Sequence, residues 1–194
     1  GGVFETEGHE TEDGEKSQNE SGMAVAAWGS IFIEKTLGDR FRLGLDYVPM
    51  ALESETAERK TTENTVGTSA TAVAVTNTIQ ADFEDYTTLY AAINLTENFY
   101  IKAGLTQVDV VTNEKLGTGG KYNNTQLDGT MVGAGYQKDL DNGVFVREEG
   151  SYVTFGGTTL TNQFTNITSG QTANTVVVDD LNGAQARISI GKSF

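Results

Sequence analysis

The sequence has no cysteine, one proline and one histidine among its 194 residues. Without cysteine, the chain can form neither a disulfide framework nor a cysteine-based metal site or nucleophile. One proline against 23 glycines, together with many Thr, Val, Asn and Tyr residues, favours strands and turns over helices. The sequence therefore predicts a single all-β domain over residues 1–194.

Positive charge is scarce. The chain has 13 Lys and Arg residues against 27 Asp and Glu residues, which gives a net charge of −14. No basic cluster exists that could neutralise phosphates, so the sequence excludes nucleic acid as a partner. The same shortage argues against attachment to an anionic lipid surface, because that attachment uses polybasic patches. We expect the acidic excess to keep exposed loops soluble and apart.

Long apolar runs are also missing. The best candidate, residues 23–28, is far shorter than the roughly 20 residues of a membrane helix. If the chain spans a membrane, it must do so as a closed β-barrel. Residues 1–21 are acidic and polar and do not resemble a signal peptide, which predicts either a mature form or a cytoplasmic protein.

No motif points to an enzyme. His9 has acidic neighbours and no Ser or Cys nucleophile motif around it, so we interpret it as a solvated loop residue. The first acidic loop lacks an EF-hand pattern, and a flexible charged loop is the favoured interpretation over a divalent-cation site. Its carboxylates are Glu10, Glu12, Asp13 and Glu15. We expect no cofactor and no metal.

Short and long connections alternate along the chain. Short reversals with Gly, Asn or Asp occur at 36–39, 95–98 and 139–143. Long polar loops are predicted at about 10–21, 53–78, 113–125 and 158–174. Eight strands fit between them, at about 2–8, 22–35, 40–52, 79–94, 99–112, 126–138, 144–157 and 176–194. All short turns then lie at one end of the sheet, which is typical of a transmembrane barrel and not of a sandwich.

Apolar residues alternate with polar or small ones within the strands. In the third strand Leu43 and Leu45 would face lipid, and Arg42, Gly44 and Asp46 would face the interior. In the fourth strand the pattern places Phe83 on the outer face with Leu89, and in the seventh it turns Glu148 outward. In the fifth strand Val108 and Val110 switch faces, which predicts a bulge near Gln107.

Two segments carry a family resemblance. They are the hairpin at 29–49 and the closing Ile-Ser-Ile-Gly-Lys-Ser-Phe at 188–194. With the strand pattern, they resemble the small eight-stranded outer-membrane barrels of Gram-negative bacteria, a porin-like family that includes the membrane domain of outer-membrane protein A. The resemblance implies an eight-stranded antiparallel up-and-down transmembrane β-barrel in the outer membrane, surrounded by the lipid bilayer.

The same resemblance implies partners and roles. Phe194, with Ile188 and Ile190, would be the C-terminal signal for the outer-membrane assembly machinery. The exposed loops would serve structural stabilisation of the cell envelope, adhesion, or reception of a surface ligand or phage.

Whether a residue has an odd or even position in its strand, its parity, decides which face its side chain occupies. This parity places charged side chains of both signs inside the predicted barrel. These are Glu34, Arg42, Asp46, Lys102, Arg147, Glu149 and Arg187. An eight-stranded interior is narrow, and charges removed from water must pair, so we expect a network that closes the lumen, with Glu34 and Arg42 as cross-strand partners. The chain would then not be a general diffusion pore. A soluble or appendage-forming β-sandwich subunit and a small ion-conducting channel remain as alternatives.

Overall fold

The computed structural model describes residues 1–12, 15–16, 19–64, 72–116, 120–163 and 174–193. Within these ranges, thirteen strands belong to one antiparallel sheet. They are β1 Gly2–Glu12, β2 Glu15–Lys16, β3 Glu20–Ala26, β4 Ile31–Leu37, β5 Phe41–Tyr47, β6 Leu52–Glu53, β7 Ala57–Asn64, β8 Ala72–Asn94, β9 Phe99–Lys115, β10 Thr125–Asp139, β11 Val144–Phe155, β12 Thr158–Thr161 and β13 Thr175–Lys192. Within these described ranges, no helix is long and apolar enough to cross a membrane.

The long strands pair in an up-and-down order. From one edge of the sheet to the other, the order runs β4, β5, β8, β9, β10, β11, β13 and β1. β3 pairs with β1, while β4 pairs with β5, and the ladders do not form a complete ring among the described residues. The all-β antiparallel sheet predicted from the sequence is confirmed. Its thirteen strands differ from the eight predicted.

Strands extend into the segments that the sequence predicts as long loops. β7 pairs with the first part of β8, from Ala57 opposite Ile79 to Asn64 opposite Ala72, so most of 53–78 is strand. β12 pairs with β13 in the same way. Loops were predicted here because the segments are polar. Their Thr and Val residues nevertheless have high β propensity, and polar residues suit a strand that has two solvated faces. The turns at 36–39, 95–98 and 139–143 are shorter, and Gly38, Asn142 and Gly143 supply the positive φ angles in them.

A bulge in β8 decides which side chains face the interior. The β8–β9 register shifts between Glu84 and Thr87, and Asp85 has φ of 52°. This bulge reverses the parity of β8, so Phe83 packs inside and the prediction of an outward Phe83 is wrong. The predicted bulge near Gln107 is also wrong, because the bulge lies on the partner strand and β9 itself is regular.

The two faces of the sheet differ in polarity. The inner face buries charged groups, and Arg147 is only 1% exposed. The outer face exposes large apolar side chains, and Ile188 is 77% exposed. Other exposed apolar residues of this face are Val3, Met23, Val25, Ile31, Ile33, Leu43, Leu45, Leu89, Ile101, Leu105, Val132 and Ile190. This distribution is the reverse of that in a water-soluble domain.

Candidate functional site

The sheet curls so that side chains from distant strands meet on its inner face. Toward the long-loop end they form an apolar layer, with members from β8, β9, β10 and β11 and with Val48, which directly follows β5. Its buried residues are Val48, Tyr86, Tyr90, Val108, Val110, Leu127, Met131, Val153 and Phe155. Trp28 packs against this layer, with ring centroids 5.9 Å from Phe4 and 6.3 Å from Tyr86. Val108 and Val110 are inside because β9 keeps its parity.

Toward the short-turn end lies a charged cluster, defined by Glu34, Arg42, Asp46, Lys102, Arg147, Glu149 and Arg187. The structure brings together all seven residues that strand parity selects. They come from β4, β5, β9, β11 and β13, and each of them forms an ion pair with another member of the cluster.

Glu34 and Arg147 form a bidentate pair across the interior. Arg147 Nη2 is 2.6 Å from Glu34 Oε2, and its Nη1 is 3.2 Å from Oε1. The Tyr90 hydroxyl donates to the same Oε1 at 3.0 Å. Gln137 Oε1 accepts from Arg147 Nη2 at 2.7 Å. Two parallel N–H···O bonds of this kind fix geometry as well as charge.

Arg42 is a secondary partner of Glu34. Its Nη1 lies 3.6 Å from Glu34 Oε2 and donates to Gln137 Oε1 at 3.0 Å. In the β4–β5 ladder, Glu34 is opposite Gly44 and Arg42 is opposite Thr36, so the two charges are diagonal neighbours. The Glu34–Arg42 pair expected from the sequence is present, and the Glu34–Arg147 pair is the closer of the two.

Glu149 is the centre of the other half of the cluster. Lys102 Nζ lies 2.7 Å from Glu149 Oε1, and the Tyr100 hydroxyl donates to the same oxygen at 2.7 Å. Arg187 Nε donates to Glu149 Oε2 at 2.7 Å, and its Nη2 also binds that oxygen. Arg187 Nη1 reaches Asp46 Oδ2. Both carboxylate oxygens of Glu149 are thus bound by cations, as a buried charge requires.

Two glycines make room for the tyrosines of the cluster. A Cβ at Gly44 would lie 2.3 Å from the Tyr90 ring, and one at Gly135 would lie 2.4 Å from the Tyr100 ring. The Tyr100 ring also lies under the Arg42 guanidinium, with 4.2 Å from Cζ to the ring centroid. The interior is therefore filled by aromatic rings as well as by charges.

Sequence reasoning missed the polar partners of the cluster. Gln137, Tyr90 and Tyr100 bind its charged groups but were not selected, although their inward parity was a usable signal. Ile188 and Ile190 are exposed on the outer face, and Phe194 lies outside the described residues.

The first acidic segment was predicted as a loop but lies partly in β1 and β2, and it gives no site among the residues that the structure covers. His9 Nδ1 lies 3.6 Å from Asp179 Oδ2, and Asp13 is outside the described ranges. In the described part of the chain, no group of three or more His or carboxylate residues could hold a metal ion.

The chain is similar to several solved structures. Over 100% of this chain and 97% of that chain, it is 10% identical to the outer membrane protein OprG from Pseudomonas aeruginosa, with a TM-score of 0.46. It is 13% identical to Ail, the attachment invasion locus protein of Yersinia pestis, in complex with the heparin analogue sucrose octasulfate, with a TM-score of 0.34 and 96% of each chain covered. No family model and no curated protein matches the chain. At these identities and TM-scores, the likeness assigns neither a family nor a function.

Proposed function

We propose that this chain is a β-barrel protein of the bacterial outer membrane with a filled lumen. The observation that carries the proposal is the inverted polarity of the sheet. Large apolar side chains cover the outer face, while ion pairs are buried on the inner face. An exposed apolar surface of this extent is unfavourable in water and favourable in a bilayer.

Closure of the sheet is the second part of the proposal. β3 and β4 are separated by only four residues, and one pairs with β1 while the other pairs with β5. If β3 and β4 are counted as one interrupted strand, they join the two ends of the sheet, and the resulting barrel has eight strands. The Arg147–Glu34 pair supports this closure, since it connects β11 to β4 across the interior.

The filled interior argues against general diffusion. The charged cluster and the apolar layer occupy successive levels of the lumen, as expected for a barrel of eight strands. Function would then depend on the surface-exposed strands and loops at the long-loop end, in cell-envelope structure, adhesion, or reception of a ligand or phage. A sandwich subunit is disfavoured because Leu43 and Leu45 are exposed and pack against no second sheet within the described chain.

Site-directed spin labelling tests the membrane proposal directly. The chain has no cysteine, so single-cysteine variants label cleanly. In lipid vesicles we expect labels at Leu45 and Ile188 to collide with oxygen and to be shielded from a water-soluble nickel complex. A label at Glu58, which is exposed on β7, should show the opposite preference. The proposal fails if Ile188 and Glu58 report the same aqueous environment, or if the folded protein does not float with the vesicles.

A further inference from the structure

The charged cluster contains one more cation than carboxylates. Its cations are Arg42, Lys102, Arg147 and Arg187, and its carboxylates are Glu34, Asp46 and Glu149. All seven side chains are largely removed from solvent. An uncompensated charge in such a place is strongly unfavourable, because the low-dielectric interior does not replace its hydration.

Arg42 is the cation of the charged cluster that has buried nitrogens without a hydrogen-bond partner among the described residues. The side chain of Arg42 is 7% exposed, yet its Nε and Nη2 have no hydrogen-bond partner among the described residues. By contrast, Nε, Nη1 and Nη2 of Arg147 all donate to Glu34 or Gln137. The three nitrogens of Arg187 donate in the same way to Glu149, Ser30 and Asp46.

We propose that the charged cluster binds one small monovalent inorganic anion, such as chloride, at Nε and Nη2 of Arg42. The residues opposite Arg42 in its two ladders, Thr36 and Ala92, are small. The Tyr100 ring covers the guanidinium, and Glu34 Oε2 lies 3.6 Å from Nη1. This nearby carboxylate opposes a second negative charge, so a divalent anion is disfavoured. The inference goes beyond the proposed function, since it depends on the cluster and not on the membrane.

The test measures unfolding of the full chain in detergent micelles as chloride replaces gluconate at constant ionic strength. For one site, each tenfold rise in chloride above its dissociation constant lowers the unfolding equilibrium constant tenfold. Line broadening of ³⁵Cl in nuclear magnetic resonance reports the bound ion independently. Arg42→Gln should abolish both effects. Lys138→Gln, which removes an exposed cation from β10, should leave both unchanged.

A second variant keeps the test decisive if Arg42→Gln does not fold. Gln137→Glu places a fixed carboxylate beside Arg42 Nη1, where Gln137 Oε1 already lies 3.0 Å away. This carboxylate balances the surplus charge, so the chloride dependence should disappear while the fold persists. The proposal is overturned if gluconate and chloride act alike on the unmodified chain, or if Gln137→Glu keeps the original chloride dependence.

Discussion

The interior charges are held by specific partners, and strand parity alone does not identify those partners. Parity shows that Glu34 and Arg147 both face inward. It does not show that they meet, because they are 113 residues apart and their distance depends on the curvature of the whole sheet. The same limit applies to Gly44, which was predicted only to face the interior, and to Gly135. Their role follows from tyrosines on neighbouring strands that need the space.

Gly135→Ala should destabilise the fold, because the added Cβ would overlap the Tyr100 ring. Overpacking of this kind costs about 1–3 kcal/mol. Gly150→Ala is the matched control: Gly150 lies on β11, and a Cβ there meets nothing within 4 Å. Urea unfolding in vesicles compares the two free energies of unfolding. Equal effects of the two changes would contradict the packing described for Tyr100.

At the level of whole strands, alternation predicted β5 and β13 well and β8 poorly. Leu43, Leu45, Ile188 and Ile190 are exposed as predicted, because these strands are regular over those residues. In β8, the bulge at Asp85 breaks the period of two and reverses Phe83. A single sequence does not reveal such a bulge, since the apolar pattern of β8 continues on both sides of it. β7 was similarly missed, because its polar residues show no apolar period.

Leu45→Arg tests whether the outer face of β5 contacts lipid. If Leu45 lies near the bilayer midplane, arginine there should reduce the free energy of unfolding in vesicles by about 2–4 kcal/mol. Thr76→Arg provides the control, because Thr76 is exposed on the extension of β8 that pairs with β7. That change should stay within about 0.5 kcal/mol of the unmodified protein. A cost at Leu45 no larger than the cost at Thr76 would argue against lipid contact.

Replacing 57–78 by a short turn should leave the rest of the sheet folded. β7 pairs only with β8 among the described strands, and the described residues of the replaced segment do not belong to the charged cluster or the apolar layer. Trp28, the single tryptophan, packs between Phe4 and Tyr86 and reports on that layer by its fluorescence. The emission maximum of the shortened chain in vesicles should match that of the full chain. A shift to the emission of exposed tryptophan would mean that the hairpin supports the fold.

On the scale of the whole molecule, the inner face of the sheet is filled at two levels by different kinds of side chain. Near the short turns, oppositely charged groups and tyrosines fill the space; toward the long loops, apolar side chains do. The sequence predicted only the charged closure, because the supposed bulge near Gln107 removed Val108 and Val110 from the interior. Because of this second layer, we expect that a single substitution in the charged cluster does not open a path for ions.

In planar bilayers, we expect the unmodified protein to show no steady conductance. If the charged cluster were the only barrier, Arg42→Ala would open an ion path. Because the apolar layer excludes water above it, this variant should remain closed unless the layer is thinned as well. Combining Arg42→Ala with Val108→Ala and Val153→Ala, two buried positions of the layer, should give measurable conductance. The two layer substitutions without Arg42→Ala serve as the control and should stay silent. Steady, large conductance from the unmodified protein would refute a closed lumen, and conductance from Arg42→Ala alone would show that the apolar layer is not a barrier.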